Sequence, residues 1–239
     1  VERNRKIGLG VMGFADMLAK IGVSYYSEEA LKIAEEVMSF ISFQARCASQ
    51  ELAERRGTFP SYPESRWAEK DLPLRNATLT SIAPTGSISL IASVSSGIEP
   101  FFALAFRRYV LDNTELLEIN PILEEKLKTY SVPEETWKVI LEKGNLEGVD
   151  APEELRRLFI TALEIPPSFH IQMQATFQKY VDNAVSKTIN LPQNATPRDV
   201  EEAYLLAHEL KCKGITAYRY GSRPQQVLYL GTEKSCETC

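Results

Sequence analysis

A short stretch of hydroxyl-bearing and turn-forming residues is the strongest candidate for chemistry in this sequence. It reads Ala83-Pro84-Thr85-Gly86-Ser87-Ile88-Ser89, here called the hydroxyl segment, and it follows an apolar run, residues 76–82, that predicts a strand. Proline and glycine favour a sharp bend that leaves backbone N–H groups free, and the threonine and serine side chains add donors. Such donors suit a phosphate or diphosphate group. The alternative interpretation is an ordinary turn without a ligand.

A second motif resembles a nucleotide-binding loop. Gly8-Leu9-Gly10-Val11-Met12-Gly13 fits the pattern G-x-G-x-x-G and leads into a predicted helix over residues 14–20. The pattern binds a dinucleotide only inside a βαβ unit, and the preceding residues 1–6 are mostly charged and make a poor central strand. We therefore interpret these glycines as close-packing positions. A nicotinamide-dependent oxidoreductase domain that uses Gly8, Gly10 and Gly13 is the alternative function.

The cysteines predict a redox pair at the end of the chain. Cys236-Glu237-Thr238-Cys239 places two thiols close enough to form a dithiol/disulfide couple. Half of a zinc ribbon is the alternative, although a zinc site needs four ligands and only one C-x-x-C is present. Cys47 lies in a predicted helix and is interpreted as a small core residue. Four cysteines in 239 residues indicate a reducing, cytoplasmic location rather than a disulfide scaffold.

Bulk composition excludes several classes of protein. The chain is 44% hydrophobic and 25% charged, which is typical of a globular domain with a sizeable core. Its net charge of −5 predicts no general affinity for nucleic acid. No apolar run is long enough to predict a membrane span. No His, Cys or acidic cluster predicts a metal site, and His170 is interpreted as structural. The first residue is Val1, so we expect a piece of a longer protein.

The elements that must position the hydroxyl segment alternate between helices and short strands. Ser27 is predicted to cap a long helix that ends at Gly57, and Thr196 with Asp199 is predicted to cap a later one. Further helices are predicted over residues 115–130, 134–143, 152–163 and 169–185, and further strands over residues 186–192 and 215–223. This order predicts an α/β architecture with parallel strands. Ligands of such folds lie at the carboxyl ends of strands, where the hydroxyl segment stands.

Several motifs together resemble one family, the large subunits of ribonucleotide reductase. The resemblance runs from about Arg3 to Arg223, and the motifs occur in the order found in that family. They comprise residues 7–15, 74–78, 83–89, 96–100, 182–190 and 214–223.

The resemblance implies a fold and an activity. The family's catalytic domain is a ten-stranded α/β barrel, of which residues 1–230 would form the carboxyl-terminal half with flanking helices, followed by a flexible tail, residues 231–239. The family reduces ribonucleotides to deoxyribonucleotides by thiyl-radical chemistry. It implies that Pro84, Thr85, Gly86, Ser87 and Ile88 bind the phosphates of a ribonucleoside di- or triphosphate. A third possibility is a non-catalytic module that binds phosphorylated ligands through the same segment.

The resemblance also implies partners and a cofactor. The family's radical cysteine lies in an Asn-x-Cys-x-Glu motif, which is missing here, so we expect no catalytic residue in this chain and an upstream half of the same enzyme as partner. Cys236 and Cys239 would exchange electrons with a thioredoxin-like reductant. Iron-dependent members carry two adjacent tyrosines in the last barrel strand, whereas this chain has Tyr218-Arg219-Tyr220. That difference implies the adenosylcobalamin-dependent class.

Overall fold

The computed structural model describes residues 1–109 and 115–222 of the chain. Helices predominate in this part, and two small sheets accompany them. The helices are α1 Phe14–Lys20, α2 Glu28–Arg56, α3 Arg66–Glu69, α4 Gly86–Ala92, α5 Pro121–Thr129, α6 Glu134–Lys143, α7 Glu153–Leu158, α8 Pro167–Gln178 and α9 Pro197–Glu209. The strands are β1 Ala105–Tyr109, β2 Glu115–Ile119, β3 Thr188–Leu191 and β4 Thr216–Arg219.

Four extended segments lie side by side and run in the same direction. Strands β3 and β4 are parallel, with Thr188 opposite Thr216 and Leu191 opposite Arg219. Two parallel bridges extend this pair, one between Ile82 and Val185 and one between Leu9 and Thr80. The resulting parallel array has the order 7–9, 79–82, 184–191, 216–219. Of the predicted strand over residues 76–82, residues 79–82 lie in the array, while before them the Ala77 N–H donates to the Asn4 carbonyl and the Thr78 carbonyl accepts the Ile7 N–H, both at 3.0 Å.

Glycines allow the first two segments of the parallel array to approach closely. The N–H of Leu9 donates to the Leu79 carbonyl at 2.7 Å, and the N–H of Ser81 donates to the Leu9 carbonyl at 2.9 Å. A Cβ atom at Gly10 would lie 2.0 Å from the Ser81 carbonyl oxygen, and one at Gly8 would lie 2.7 Å from the Ser81 Cβ. The interpretation of these glycines as close-packing positions is confirmed, since any side chain here would collide with the neighbouring segment.

The core lies between the parallel array and the helices that cover it. Helix α8 packs against α2, α9 and β3, and its Ile171, Met173 and Phe177 are fully buried. The Phe177 ring meets that of Phe14 from α1 edge to face, with centroids 5.1 Å apart. Each such buried side chain contributes about 1.5–3 kcal/mol to stability. Helix α8 is therefore the element that joins the outer helices to the strands.

Local signals in the sequence set several helix ends. The Ser27 hydroxyl accepts a hydrogen bond from the Ala30 N–H at 3.1 Å, and Gly57 ends α2 with a φ of 74°. At the start of α9, the Thr196 N–H donates to Asp199 Oδ2 at 2.6 Å, which completes a capping box. These predictions are confirmed, and the predicted helix over residues 134–143 coincides with α6.

Three of the predicted helices are wrong in extent. The one predicted over residues 152–163 is α-helical only over Glu153–Leu158. Residues 115–130 do not form one helix, because Glu115–Ile119 is strand β2, antiparallel to β1. Helix α5 starts only after Asn120, whose side chain accepts the Ile122 and Leu123 N–H groups at 3.0 and 3.1 Å. The helix predicted to reach residue 185 ends at Gln178, whose side-chain amide donates to carbonyls of the following turn. None of the helices in the described ranges is both long and apolar enough to cross a membrane.

The contact at Gly10 gives a first prediction. Gly10→Ala should lower the free energy of unfolding by about 1–3 kcal/mol or more, because the added methyl group pushes the two backbone segments apart. Urea unfolding monitored by circular dichroism measures this change. Gly214→Ala is the matched control, since a Cβ there would meet no atom within 4 Å in residues 1–109 and 115–222. Equal stability of the two variants would contradict the close packing.

Candidate functional site

The hydroxyl segment forms a bend followed by a short helix. Thr85 takes the left-handed conformation, with φ 56° and ψ 22°, and acts as the N-terminal cap of α4. Gly86, Ser87, Ile88 and Ser89 then lie in the first turn of this helix rather than in an irregular loop. The sharp bend predicted from the sequence is present at Thr85, while the remainder of the segment is more regular than predicted.

The first turn of α4 presents free donors. The Ser89 N–H donates to the Thr85 carbonyl at 2.9 Å, but among the described residues the N–H groups of Gly86, Ser87 and Ile88 have no acceptor. These three groups are among the four that a helix start leaves unsatisfied. Pro84, Ser87 and Ile88 are exposed, with Ile88 54% accessible. A Cβ atom at Gly86 would meet no atom of the described residues within 4 Å, so this part of the structure leaves the space beside these donors open.

The base of the hydroxyl segment is fixed by the turn that follows α4, residues 96–100. Thr85 Oγ1 accepts the Gly97 N–H at 2.7 Å, which leaves the hydroxyl hydrogen of Thr85 able to donate elsewhere. The hydroxyls of Ser89 and Ser96 lie 2.9 Å apart. A Cβ atom at Gly97 would lie 3.1 Å from the Ala83 carbonyl oxygen, so the two backbones are in close contact. The segment is thus held from one side and open on the other.

The hydroxyl segment stands at the carboxyl end of its strand segment in the parallel array. Residues 79–82 pair with residues 183–186, where the Ser186 N–H donates to the Ile82 carbonyl at 2.9 Å. Ala83 follows immediately, so the segment leaves the array level with the start of β3. At the far end of β3, the Tyr220 N–H donates to the Leu191 carbonyl and Arg219 Nη1 donates to the Gln193 carbonyl, at 2.9 and 3.0 Å.

A buried cluster of ionisable side chains lies beside this site. The Lys187 side chain has no exposed surface, and its Nζ lies 2.5 Å from Glu99 Oε2, 2.9 Å from His170 Nδ1 and 2.6 Å from the Thr188 carbonyl oxygen. Glu99 Oε1 accepts the Thr188 N–H at 2.6 Å. Glu99 belongs to the same turn as Gly97. The cluster therefore fixes the start of β3 to the turn that holds the hydroxyl segment.

Sequence reasoning did not assign a role to Glu99 or Lys187. Both stand in motifs that carry the resemblance, but nothing local shows that residues 88 positions apart form an ion pair. A lysine at the start of a predicted strand resembles an ordinary solvated strand end. The pairing of distant segments brings it inside the core.

Burial determines the ionisation of the cluster. Burial, and next the positive charge of Lys187, lower the pKa of His170 to about 3, while the hydrogen bond with the Ala162 carbonyl raises it. His170 Nε2 donates to that carbonyl at 2.9 Å, and neutral Nδ1 accepts from Lys187. Burial also lowers the pKa of Lys187, against the raising effect of Glu99. His170 is thus a neutral structural residue, as its isolation in the sequence predicts.

Of the four cysteines, two lie in the part of the chain that the structure describes. Cys236 and Cys239 lie outside the described residues, so their pairing stays a prediction. Cys47 and Cys212 are half-buried free thiols, and burial raises the pKa of Cys212. Within residues 1–109 and 115–222, no group of three or more His, Cys, Asp and Glu side chains could hold a metal ion.

Comparison with known proteins gives a consistent result. A family model described as "Ribonucleotide reductase, barrel domain" matches residues 1–74 and 70–218. The chain is 54% identical over 232 residues to a vitamin B12-dependent ribonucleoside-diphosphate reductase of Thermoplasma acidophilum, covering 97% of this chain and 30% of that protein. It is 48% identical to the protein of the same description in Mycobacterium tuberculosis, covering 96% and 33%. The chain thus spans about a third of the length of these relatives.

A solved structure shows the same likeness in three dimensions. The class Id ribonucleotide reductase alpha subunit of Actinobacillus ureae superposes with a TM-score of 0.79 at 32% identity, over 92% of this chain and 40% of that chain.

The buried histidine gives a second prediction, on the pH dependence of stability. An unfolded chain protonates His170 below its ordinary pKa of 6.5, whereas the folded chain resists protonation down to about 3. The stabilisation is therefore present above pH 6.5 and is lost as the pH falls toward 3. A single group of this kind contributes a slope of about 1.4 kcal/mol per pH unit.

Urea unfolding at a series of pH values from 7 to 4 measures this slope. His170→Gln should reduce the slope of unfolding free energy against pH by about 1.4 kcal/mol per pH unit. His208→Gln, at an exposed position on α9, should leave the slope unchanged. Parallel pH profiles for the native chain and both variants would exclude His170 as the source.

Proposed function

The chain belongs to the ribonucleotide reductase barrel-domain family, and we propose that it forms the carboxyl-terminal half of that family's ten-stranded α/β barrel. The parallel array supports this proposal, because among the described residues no further strand pairs with its edge segment 7–9. Ile7 and Leu9 on one edge are 51% and 53% exposed, and Thr216 and Arg219 on the other are exposed. An edge with unpaired backbone groups is a template for another strand. Residues 1–230 would form the half-barrel and residues 231–239 the tail.

The proposed role of this half is to bind the phosphates of a ribonucleotide. The free N–H groups of Gly86, Ser87 and Ile88 would donate to phosphate oxygens, together with the hydroxyls of Thr85 and Ser87, and Pro84 would help to set the bend. The observation that carries this proposal is the set of three unsatisfied N–H groups at the carboxyl end of a parallel segment. Holding the phosphates orients the ribose for chemistry elsewhere in the barrel. The relatives are described as ribonucleoside-diphosphate reductases, which favours a diphosphate over a triphosphate.

The proposed reaction is the reduction of the ribonucleotide to a deoxyribonucleotide by a cysteine thiyl radical. The Asn-x-Cys-x-Glu motif that carries this cysteine in the family is not in the sequence, so the upstream half of the enzyme would supply it. Cys236 and Cys239 would return electrons to the active site and receive them from a thioredoxin-like protein. In this division of work, the present chain binds and orients the substrate and contains no catalytic residue.

The proposed cofactor of the assembled enzyme is adenosylcobalamin, which supplies the initiating radical when it is bound. The residue that bears on this proposal is Arg219. It occupies the position of the second relay tyrosine of iron-dependent members, and its guanidinium donates to the Gln193 carbonyl at 3.0 Å. An arginine does not carry a radical as a tyrosine does, which fits a class that needs no stacked tyrosine relay. Tyr218 and Tyr220 would then serve in packing.

The alternative of a nicotinamide-binding domain receives less support from the geometry. Gly8 and Gly10 belong to the edge segment of the parallel array, and the space that their missing side chains leave is taken by Ser81. A backbone already in contact with its neighbour cannot also receive a pyrophosphate on that side.

A third prediction tests the activity. The chain combined with a polypeptide that carries the Asn-x-Cys-x-Glu motif should convert a ribonucleoside diphosphate to its deoxy form in the presence of adenosylcobalamin and a dithiol. Product analysis by chromatography measures the conversion. Replacing the radical cysteine by serine is the control and should abolish it. A stable complex that binds nucleotide without forming product would favour the non-catalytic phosphate-binding module.

A fourth prediction tests the hydroxyl segment directly. In the same assembly, Ser87→Ala should raise the substrate dissociation constant about tenfold or more, and Thr85→Val with Ser87→Ala should raise it about a hundredfold or more, because each lost donor to a charged acceptor costs about 1.5–3 kcal/mol. Isothermal titration calorimetry with the diphosphate measures binding. Ser87 is exposed and makes no side-chain hydrogen bond within the described residues, so its substitution does not disturb the fold.

The matched control for this experiment removes the same atoms elsewhere. Thr129→Val with Ser39→Ala deletes one threonine and one serine hydroxyl that donate only to their own helices. Affinity should be unchanged in this variant. If the hydroxyl-segment variants also bind with unchanged affinity, the segment is not part of the substrate site.

A further inference from the structure

Five basic side chains line one cavity at the opposite end of the parallel array. The cavity has a volume of about 450 Å³. Its basic residues are Arg46, Arg66, Lys70, Lys179 and Lys213, and they face a single carboxylate, Asp182. The whole chain carries a net charge of −5, so this concentration of positive charge is a local feature. We call it the basic cavity.

The basic cavity lies where the strand segments begin. Residues 178–182 in its wall lead into the segment 184–191, and Lys213 precedes β4 by three residues. The hydroxyl segment, in contrast, follows the carboxyl end of the segment 79–82. The two features therefore lie at opposite ends of the parallel array, and one ligand cannot account for both.

The positive charges of the basic cavity are only partly compensated. Lys179 Nζ lies 3.9 Å from Glu35 Oε1, and Lys213 Nζ donates to the Asp182 carbonyl. Asp182 Oδ2 accepts the Leu79 N–H at 2.8 Å, and Oδ1 lies 3.8 Å from Arg46. Among the described residues, neither Arg66 nor Lys70 has a carboxylate within 4.0 Å. The Nε of Arg46 is buried and has no hydrogen-bond partner in this part of the chain. Cations without partners repel one another, so an anion in the cavity would stabilise the arrangement.

Three of these cations contact the indole ring of Trp67. The Arg66 guanidinium lies 4.5 Å from the ring centroid, the Arg46 guanidinium 5.8 Å and the Lys70 ammonium 5.9 Å. Trp67 itself is buried, and its Nε1 donates to the Ala77 carbonyl at 2.9 Å, which fixes the ring. Cation–π contacts therefore hold the donors in place before any ligand binds.

We propose that the basic cavity binds a small anion with two or more phosphate groups. Its volume falls in the range of small-molecule sites, about 300–1,000 Å³, and a concave site of this size suits a small ligand better than a nucleic-acid duplex. Guanidinium groups bind phosphate oxygens in pairs, and several cations together match a polyphosphate better than a single carboxylate. Free nucleotides and inorganic polyphosphate share this chemistry, so the test compares both.

Trp67 provides a local signal for the test. The chain has two tryptophans, so Trp137→Phe leaves Trp67 as the only one. Titration with inorganic tripolyphosphate and with a nucleoside triphosphate, at constant ionic strength, should each give a saturating change in Trp67 fluorescence. Calorimetry on the chain with both tryptophans should give the same dissociation constants, which checks that Trp137→Phe does not itself alter binding. A lack of saturation by both ligands in both measurements would overturn the proposal.

Charge-removing variants locate the binding. Arg66→Gln with Lys70→Gln should raise the dissociation constant of tripolyphosphate at least tenfold. Lys32→Gln with Arg198→Gln removes the same two charges at exposed positions on α2 and α9 and should change it less than twofold. An equal effect of the two pairs would show nonspecific attraction and overturn the proposal, as would binding of the nucleoside triphosphate without tripolyphosphate or of an RNA oligomer without either.

One variant separates this inference from the proposed function. Thr85→Val with Ser87→Ala, which tests the hydroxyl segment, should leave the Trp67 titration unchanged. Loss of the Trp67 response in that variant would show that a single site produces both effects and would overturn the basic cavity as an independent site.

Discussion

The buried ammonium group of Lys187 is the constraint on which the candidate site depends. Removing such a charge from water costs several kcal/mol, so it is tolerated only with close partners. The partners are the Glu99 carboxylate, the neutral His170 ring and the Thr188 carbonyl, which come from the turn 96–100, helix α8 and strand β3. Satisfying one charge therefore fixes three elements at once. The same turn holds Thr85 through the Gly97 N–H, so the position of the hydroxyl segment follows from this cluster.

The hydroxyl segment is ordered by its own chain and yet open to its surroundings. Its base is held by hydrogen bonds to the turn 96–100, whereas α4 exposes Ile88, Leu90 and Ile91, the last of them 84% accessible. Exposed apolar residues beside unsatisfied N–H groups are unusual for a complete phosphate site, because a phosphate is bound more strongly where water is excluded. This chain positions the N–H donors, and the proposed upstream half of the barrel would cover them and exclude water.

The sequence predicts local features of this structure better than distant ones. The helix caps at Ser27 and at Thr196 with Asp199 can be predicted from the sequence, because donor and acceptor lie within three residues of each other. Strand β2 cannot be predicted in this way, since its apolar residues fit a helix equally well. Its extended conformation is determined by pairing with β1. Glu99 and Lys187 are recognised as partners only when β3 lies beside the turn. The bend at Thr85 was predicted because proline and glycine act locally, but the helix after it depends on the contacts of Ser89 and Ser96.

The two ends of the parallel array offer an anion different kinds of contact. At the carboxyl end, the proposed phosphate contacts of the hydroxyl segment are neutral N–H and O–H groups, which select an orientation through geometry and are little affected by salt. At the amino end, the basic cavity presents charged groups, whose attraction is stronger but falls with ionic strength. A substrate that must be turned over and released needs orientation more than tight binding. Neutral donors therefore fit the proposed substrate end of the parallel array, and the concentrated positive charge would fit a ligand that remains bound and undergoes no reaction.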